Sequence, residues 1–404
     1  MGRLTREKLA QAALLVGPAG ADAWLVWVRE TAEGADPVLP LIVESGFVWQ
    51  AALLVGAGGR RVAVVGNYDA DPLRDSGDWD EVVPYVQGIR GELLAALERI
   101  VPADRPAPRL AVDWSLDDPK ADGLSHGMYL QLEETLRGTR FAGSLVSAEP
   151  IVSRLRSRKT PEEIARIREA IDRTDELFAD LVGFLAPGRT ERQIFDYLQA
   201  RVVERGLGFS WDRGGDPIVN SGPDSMIGHG VPSERIEVAP EHIVHVDFGI
   251  LARGYASDLQ RCWYMAEEGA SSAEGLPEDV ARAFAAVHGA ITAGFDALRP
   301  GVEGWRVDAA ARAHLTGAGY PEYLHALGHQ VGRMAHDGGG VLAPRWERYG
   351  RMPEVPVEPD QVYTLELGVT VEGRGYLGLE EMVQVTERGA HWLSRRQDRL
   401  PVLP

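Results

Sequence analysis

The residues of this sequence best suited to chemistry are two pairs of carboxylates, Asp247 with Asp258 and Glu366 with Glu380, and one histidine between the pairs, His329. EHIVHVDFGI (241–250) and GYASDLQRCWYM (254–265) read as two apolar-rich strands joined by a tight turn. Opposed residues of an antiparallel hairpin have a constant sum of numbers. A turn centred between Ala252 and Arg253 therefore sets Asp247 against Asp258. QVYTLELGVT (361–370) and YLGLEEMVQV (376–385) form a second hairpin through Glu372, Gly373 and Arg374, and a turn centred on Gly373 pairs Glu366 with Glu380. Like charges placed opposite each other destabilise a sheet, so something positive belongs between them. Carboxylates with one imidazole suit hard or borderline divalent ions, and four negative charges balance two of them. This pattern predicts a dinuclear metallohydrolase.

Such a centre needs a scaffold, and 404 residues are enough for two or three domains with real cores. Hydrophobic residues make up 45% and charged residues 25%, the proportions of a globular protein. A formal charge of −18 without a Lys/Arg-rich run argues against nucleic acid as a partner. Cys262 is the only cysteine, so no intrachain disulfide forms and a reducing, cytoplasmic compartment is expected. On the same strand face as Asp258, it reads as a core thiol. No apolar run reaches transmembrane length. LAQAALLVGPAGADA (9–23) has a faint likeness to a secretory signal, but Gln11 and Pro18 interrupt it and AWLVWV follows directly, as a first helix and strand would.

Residues 1–155 alternate helix-like stretches with the β-rich runs ADAWLVWV, RRVAVVG and PRLAVDW, the rhythm of an α/β domain. A new domain, 156–404, opens with Thr160-Pro161-Glu162-Glu163: a Thr N-cap, Pro at the first helical position and Glu three residues after the cap. A long helix should run from there towards Gly183. Within this domain Leu185, Pro187, Gly188 and Gly206 recur 113 positions later as Leu298, Pro300, Gly301 and Gly319, each set preceding one acidic hairpin. The simplest architecture is a duplicated helix–helix–hairpin unit whose halves meet at the carboxylates.

HVDFGILARGYASDLQR, HALGHQVGRMAHD, YTLELG and GLEEMVQVT resemble the pita-bread metallopeptidases, the family of methionine aminopeptidases, aminopeptidase P and prolidases. The resemblance implies an α+β pita-bread catalytic domain with internal pseudo-twofold duplication, behind an α/β N-terminal domain like that of prolidases and aminopeptidase P. It implies that Asp247, Asp258, His329, Glu366 and Glu380 are metal ligands for two divalent ions. Mn²⁺ is the expected ion, with Co²⁺ and Zn²⁺ as alternatives. Glu366 would also move the proton of the attacking water. His336 and His229 would donate hydrogen bonds to the scissile carbonyl or the oxyanion. His325 and Arg333 are candidates for holding substrate, with Arg374 a further cation. The chain also departs from the family. Gly378 stands where an Arg usually precedes the last ligand by two residues, Leu367 where a Pro is usual, Thr370 where a Tyr is usual, and the stretch 337–360 is long.

The resemblance implies hydrolysis of Xaa-Pro bonds in dipeptides or short peptides by a homodimer. The rivals are an aminopeptidase P acting on longer peptides, a metal-free creatinase-like amidinohydrolase, and a non-catalytic pita-bread binding protein.

Overall fold

A computed structural model describes residues 2–32, 34–228, 230–267 and 276–404. The chain divides into two compact units, Met1–Arg156 and Ser157–Pro404.

The first unit is built on a six-stranded mixed sheet. Its strands are β1 (Ala23–Val28), β2 (Ala51–Gly56), β3 (Arg61–Gly66), β4 (Glu81–Tyr85), β5 (Leu110–Val112) and β6 (Leu145–Ser147), in the order β4-β3-β2-β1-β5-β6. The central strand β1 is buried along its whole length. Trp24, Val26 and Val28 join one core with Leu9, Ala12 and Val16 of the Arg3–Val16 helix. Ala23, Leu25 and Trp27 join another with Leu93, Ala96 and Leu97 of the Arg90–Ile100 helix. Two covered faces explain why β1 is an unbroken apolar run rather than an alternating one. The segment 9–23 is accounted for by the first helix and the entry to β1. Among the described residues, no helix is long and apolar enough to cross a membrane.

The second unit carries the duplication. Its helix Pro161–Val182 starts on the expected capping box, Thr160 accepting from Glu163 N and Glu163 from Thr160 N, and ends at Gly183. Such an N-cap is worth about 1 kcal/mol. It is followed by the helix Glu191–Glu204, and the second half repeats the pair as Glu278–Ala297 and Gly304–Gly317. Between the helices of each pair, Gly188 (φ 82°) and Gly301 (φ 84°) turn the chain in the left-handed region. Their N–H groups bond the carbonyls of Val238 and Val357 in equivalent places.

The strands of this unit are β7 (Gly208–Phe209), β8 (Ile218–Ser221), β9 (Ile243–Phe248), β10 (Ile250–Ala252), β11 (Tyr255–Ala256), β12 (Leu259–Met265), β13 (Gly328–His329), β14 (Val341–Leu342), β15 (Val362–Val371), β16 (Gly375–Thr386), β17 (Gly389–Trp392) and β18 (Val402–Leu403). The main sheet runs β15-β16-β12-β9-β8, with β17 on β16 and β18 on β12. Each long helix backs its own hairpin. Phe178 packs its ring 5.8 Å from Phe248 and 5.9 Å from Trp263. Val280, Val287 and Ile291 share a core with Leu365, Leu367, Leu377 and Leu379. Both hairpins thereby turn their acids to the opposite face.

The glutamate hairpin has the expected register, Glu366 against Glu380, through Gly373 at φ 71°. The aspartate hairpin does not. Its two turn residues are Arg253 (φ 49°) and Gly254 (φ 75°), with Ala252 against Tyr255. Asp247 therefore faces Gln260, not Asp258. The turn lies one residue further along because a two-residue hairpin loop with both φ positive wants Gly at its second position. That shifts every partner by two, an even slip, so Asp258 keeps the face of Asp247.

Candidate metal centre

The corrected register lines up one row of cross-strand partners over five strands: Glu366 on β15, Glu380 on β16, Gln260 on β12, Asp247 on β9 and Ile218 on β8. Asp258 enters on the same face just before β12. His329 arrives from outside this sheet. Its strand β13 lies against β15, where His329 N bonds Thr364 Oγ1 and Leu327 O accepts from Glu366 N. A Cβ on Gly328 would come 1.9 Å from Thr364 O, so only glycine lets the histidine approach this closely.

The imidazole is the point on which the acids converge. His329 Nε2 lies 3.5 Å from Glu366 Oε1, 3.6 Å from Asp258 Oδ2 and 4.0 Å from Glu380 Oε1. Ligand atoms of Asp258, His329 and Glu380 all fall within 4.8 Å of one another. Asp247 adds its charge to the same cluster, raising the pKa values of Asp258, Glu366 and Glu380. Burial is the first cause in every case. It pushes Asp247 up to about 7 and Glu366 up to about 8, and holds Asp258 and Glu380 well above the usual carboxylate range. Burial, reinforced by His336, drives His329 down to about 3, leaving a neutral ring with a lone pair to offer.

Two buried oxygens, Asp247 Oδ1 and Glu380 Oε1, have no hydrogen-bond partner. Buried acceptors are rarely left so. Orphaned carboxylate oxygens beside a neutral imidazole fit a divalent cation, which would reverse the local cost of four acids in one place.

The remaining candidates are more dispersed. His336 is exposed and sets its ring edge-on to His329 at 4.2 Å. His325 is anchored through Nδ1 to Ala326 O (2.7 Å) and lies 5.2 Å from the Tyr323 ring. Its backbone carbonyl and that of Tyr323 accept from Arg312, itself paired to Asp308 through two bonds. Arg333 lays its guanidinium 5.5 Å from the Tyr255 ring at the tip of the aspartate hairpin, while its backbone N bonds Asp337 Oδ2. Arg374 is committed elsewhere, to Asp279, Glu241 and Tyr264. His229 lies outside the described residues. Cys262 is buried, donates to Gly378 O, and burial pushes its thiol up to about 12, so it is an inert core group. In the long 337–360 stretch, Trp346 and Tyr349 stack with Arg348, which reaches back to Leu324 O.

Three polar residues at the centre were not anticipated. Gln260 bonds both glutamates, His245 bonds Gln260, and Asp216 is a further buried acid whose charge reaches Asp258. Gln260 and His245 could have been found by extending the alternation of faces one step along β9 and β12. Asp216 lies in a loop before β8 and carries no such signal.

Residues 165–387, more than half the chain, match metallopeptidase family M24. The chain belongs to that family. Its members use divalent metal ions, and this protein is accordingly a metallopeptidase with the pita-bread fold behind an α/β N-terminal unit. The probable dipeptidase PepE of Mycobacterium tuberculosis is 32% identical over 264 residues, 64% of this chain and 64% of that protein's length. The Xaa-Pro dipeptidase of Lactobacillus helveticus is 27% identical over 72% of this chain and 73% of its own. Among solved structures, dipeptidase PepE from Mycobacterium ulcerans superposes with a TM-score of 0.70 at 27% identity, covering 99% of this chain and 98% of that one.

Proposed function

We propose that this M24 metallopeptidase is a dinuclear Xaa-Pro dipeptidase. The observation that carries the reading is the convergence of three acids, Asp258, Glu366 and Glu380, on the lone-pair nitrogen of His329, with Asp247 beside them and two oxygens of the cluster, Asp247 Oδ1 and Glu380 Oε1, unpartnered. Asp247, Asp258, His329, Glu366 and Glu380 are the proposed ligands, and an oxygen-rich set with one imidazole favours Mn²⁺. Bound ions would polarise the scissile carbonyl and lower the pKa of the attacking water.

The protein's own groups do the rest. Glu366, the more exposed of the two glutamates of the cluster, with Oε1 turned to the centre, takes the proton of the attacking water and returns it to the leaving nitrogen. His336 and His229 donate to the oxygen on which negative charge develops. A dipeptidase must also hold the carboxylate that follows proline. Arg333 and His325 are proposed for that role, since Arg374 is already shared between two acids and a tyrosine. The dipeptidase names of PepE and of the Lactobacillus enzyme support short substrates, and the latter's name supports proline. The acting form is proposed to be a cytoplasmic homodimer.

The test compares kcat/KM for an Xaa-Pro dipeptide with that for an Xaa-Pro-Xaa tripeptide on the Mn²⁺-loaded protein. Preference for the dipeptide is expected. Efficient tripeptide cleavage would replace the reading by an aminopeptidase P, and inactivity on both would remove proline specificity.

A further inference from the structure

One member of the cross-strand row is not an acid. Gln260 stands between Glu380 and Asp247, directly opposite each. A primary amide nitrogen carries two hydrogens, and Gln260 Nε2 is 3.0 Å from Glu366 Oε2 and 3.1 Å from Glu380 Oε2. The reverse orientation would set the amide oxygen against two carboxylate oxygens, so the acids fix which end of the amide they meet. The other end, Oε1, lies 2.9 Å from His245 Nε2, which must donate to it. His245 is held in turn by packing against the Tyr376 ring, perpendicular to it with centroids 5.0 Å apart.

Room for this arrangement comes from Gly378. A Cβ there would lie 2.8 Å from Gln260 Oε1, 2.9 Å from His245 Nε2 and 2.6 Å from the Tyr376 ring. A side chain at 378 would compete with the Gln260–His245 pair for the same space. The glycine noted as a departure in the sequence is therefore not a gap in the site: a neutral amide and an imidazole fill its space.

We infer that Gln260, oriented by His245 and admitted by Gly378, is a positioning residue of the metal centre. It fixes the two glutamates by their Oε2 atoms and so presents their Oε1 atoms to the ions. The division of labour is visible in the distances. The Oε2 atoms meet the amide, while the Oε1 atoms face His329 Nε2, and Glu380 Oε1 has no other partner. A clamp without charge holds the glutamates apart while leaving their negative charge undiminished for the cations. This inference rests on the ligand set proposed above.

The experiment is titration of the metal-free chain with Mn²⁺ by calorimetry, with kinetics on an Xaa-Pro dipeptide at saturating Mn²⁺. Gln260→Leu keeps the length and removes the amide. It should weaken Mn²⁺ binding by roughly 10–100-fold, the usual cost of losing a residue that orients ligands, and lower kcat with KM almost unchanged. His245→Phe should shift affinity in the same direction by less, because the amide survives without its anchor. Gly378→Ala, which pushes the pair aside, should also weaken binding. A purely structural role would lower the unfolding temperature of these variants without changing affinity per folded molecule, and that result, or wild-type affinity in Gln260→Leu, overturns the inference. Should Gln260→Leu not fold, wild-type affinity in both other variants overturns it equally. Failure of the underlying ligand set looks different: the wild-type chain itself would take up no Mn²⁺.

Discussion

Each unit of this protein buries acids, and the contrast between the two clusters shows what marks one of them as the candidate metal centre. In the first unit Asp36 and Asp113 are 3% and 2% exposed. Asp36 accepts from Val38 N, Asp113 from Trp24 Nε1, and the two carboxyl groups hydrogen-bond each other. Burial raises both pKa values, Asp113 further because Asp36 stands beside it, while Arg156 eases Asp36. Two acids near one guanidinium can settle their account with a single proton. In the second unit four acids crowd together, no arginine or lysine figures among the causes of their shifts, and three of them aim at one lone-pair nitrogen. Buried acids with raised pKa values occur in both places, so burial alone is not the distinguishing sign. Convergence of acids on an unprotonated imidazole is.

The largest effect that tests this contrast is removal of one converging charge. Asp258→Asn should abolish peptidase activity and reduce the Mn²⁺ bound per chain, with circular dichroism unchanged. The matched substitution Asp113→Asn should leave both at wild-type values. Full activity in Asp258→Asn, or in exhaustively chelated wild type, would refute the metal mechanism. Loss of metal in Asp113→Asn would erase the distinction between the clusters.

The next effect separates groups that hold ions from groups that act on substrate. The His336 ring stands perpendicular to that of His329, with centroids 4.2 Å apart, and His336 is exposed. His336→Ala, and His229→Ala with it, should lower kcat by about 10²–10³-fold, the size expected for one oxyanion donor. Mn²⁺ content, measured by atomic absorption, should hold. A variant that loses metal instead has been misassigned, and the residue is a ligand.

Much of this architecture was legible beforehand, for physical reasons. The helix start at Thr160 is local chemistry, since cap, proline and glutamate act within four residues. Asp247 and Asp258 share a face in either register of their hairpin, because side chains on a strand alternate and a slip of two leaves every face intact. The register expected from the sequence hides Gln260. Setting Asp247 against Asp258 leaves no place for a residue between Asp247 and Glu380, although like charges in adjacent strands call for a spacer. Gly378 was visible as an anomaly. What fills its space was not, because Gln260, His245 and Tyr376 come from three strands that only the folded sheet brings together.

The smallest effect concerns pH and bears on both clusters at once. An acid whose pKa is raised by folding stabilises the native state most below its unfolded value, and that contribution is lost as pH climbs through the folded value. Asp113, raised well above 3.8, should therefore cost the Mn²⁺-loaded protein stability as pH rises from about 4. Asn at this position can still accept from Trp24 and has no proton to lose. Asp113→Asn should match wild type near pH 4 and unfold roughly 2–4 °C higher at pH 8, a shift worth about 1 kcal/mol. The acids around His329 follow the same sign only when free of metal. Asp247 rises from 3.8 to about 7 and Glu366 from 4.5 to about 8, so the chelated chain should lose stability across about pH 4 to 8. His329, depressed from 6.5 to about 3, works the other way as pH falls below 6.5, but it is one group against four. Mn²⁺ should abolish the steep part of this dependence by holding the carboxylates ionised. Unfolding temperatures at pH 5 and 8, with Mn²⁺ and with chelator, in wild type and Asp113→Asn, read both contributions. If Asp113→Asn removes the chelator-dependent slope, the acids of the first unit, and not those around His329, are the ones that metal protects.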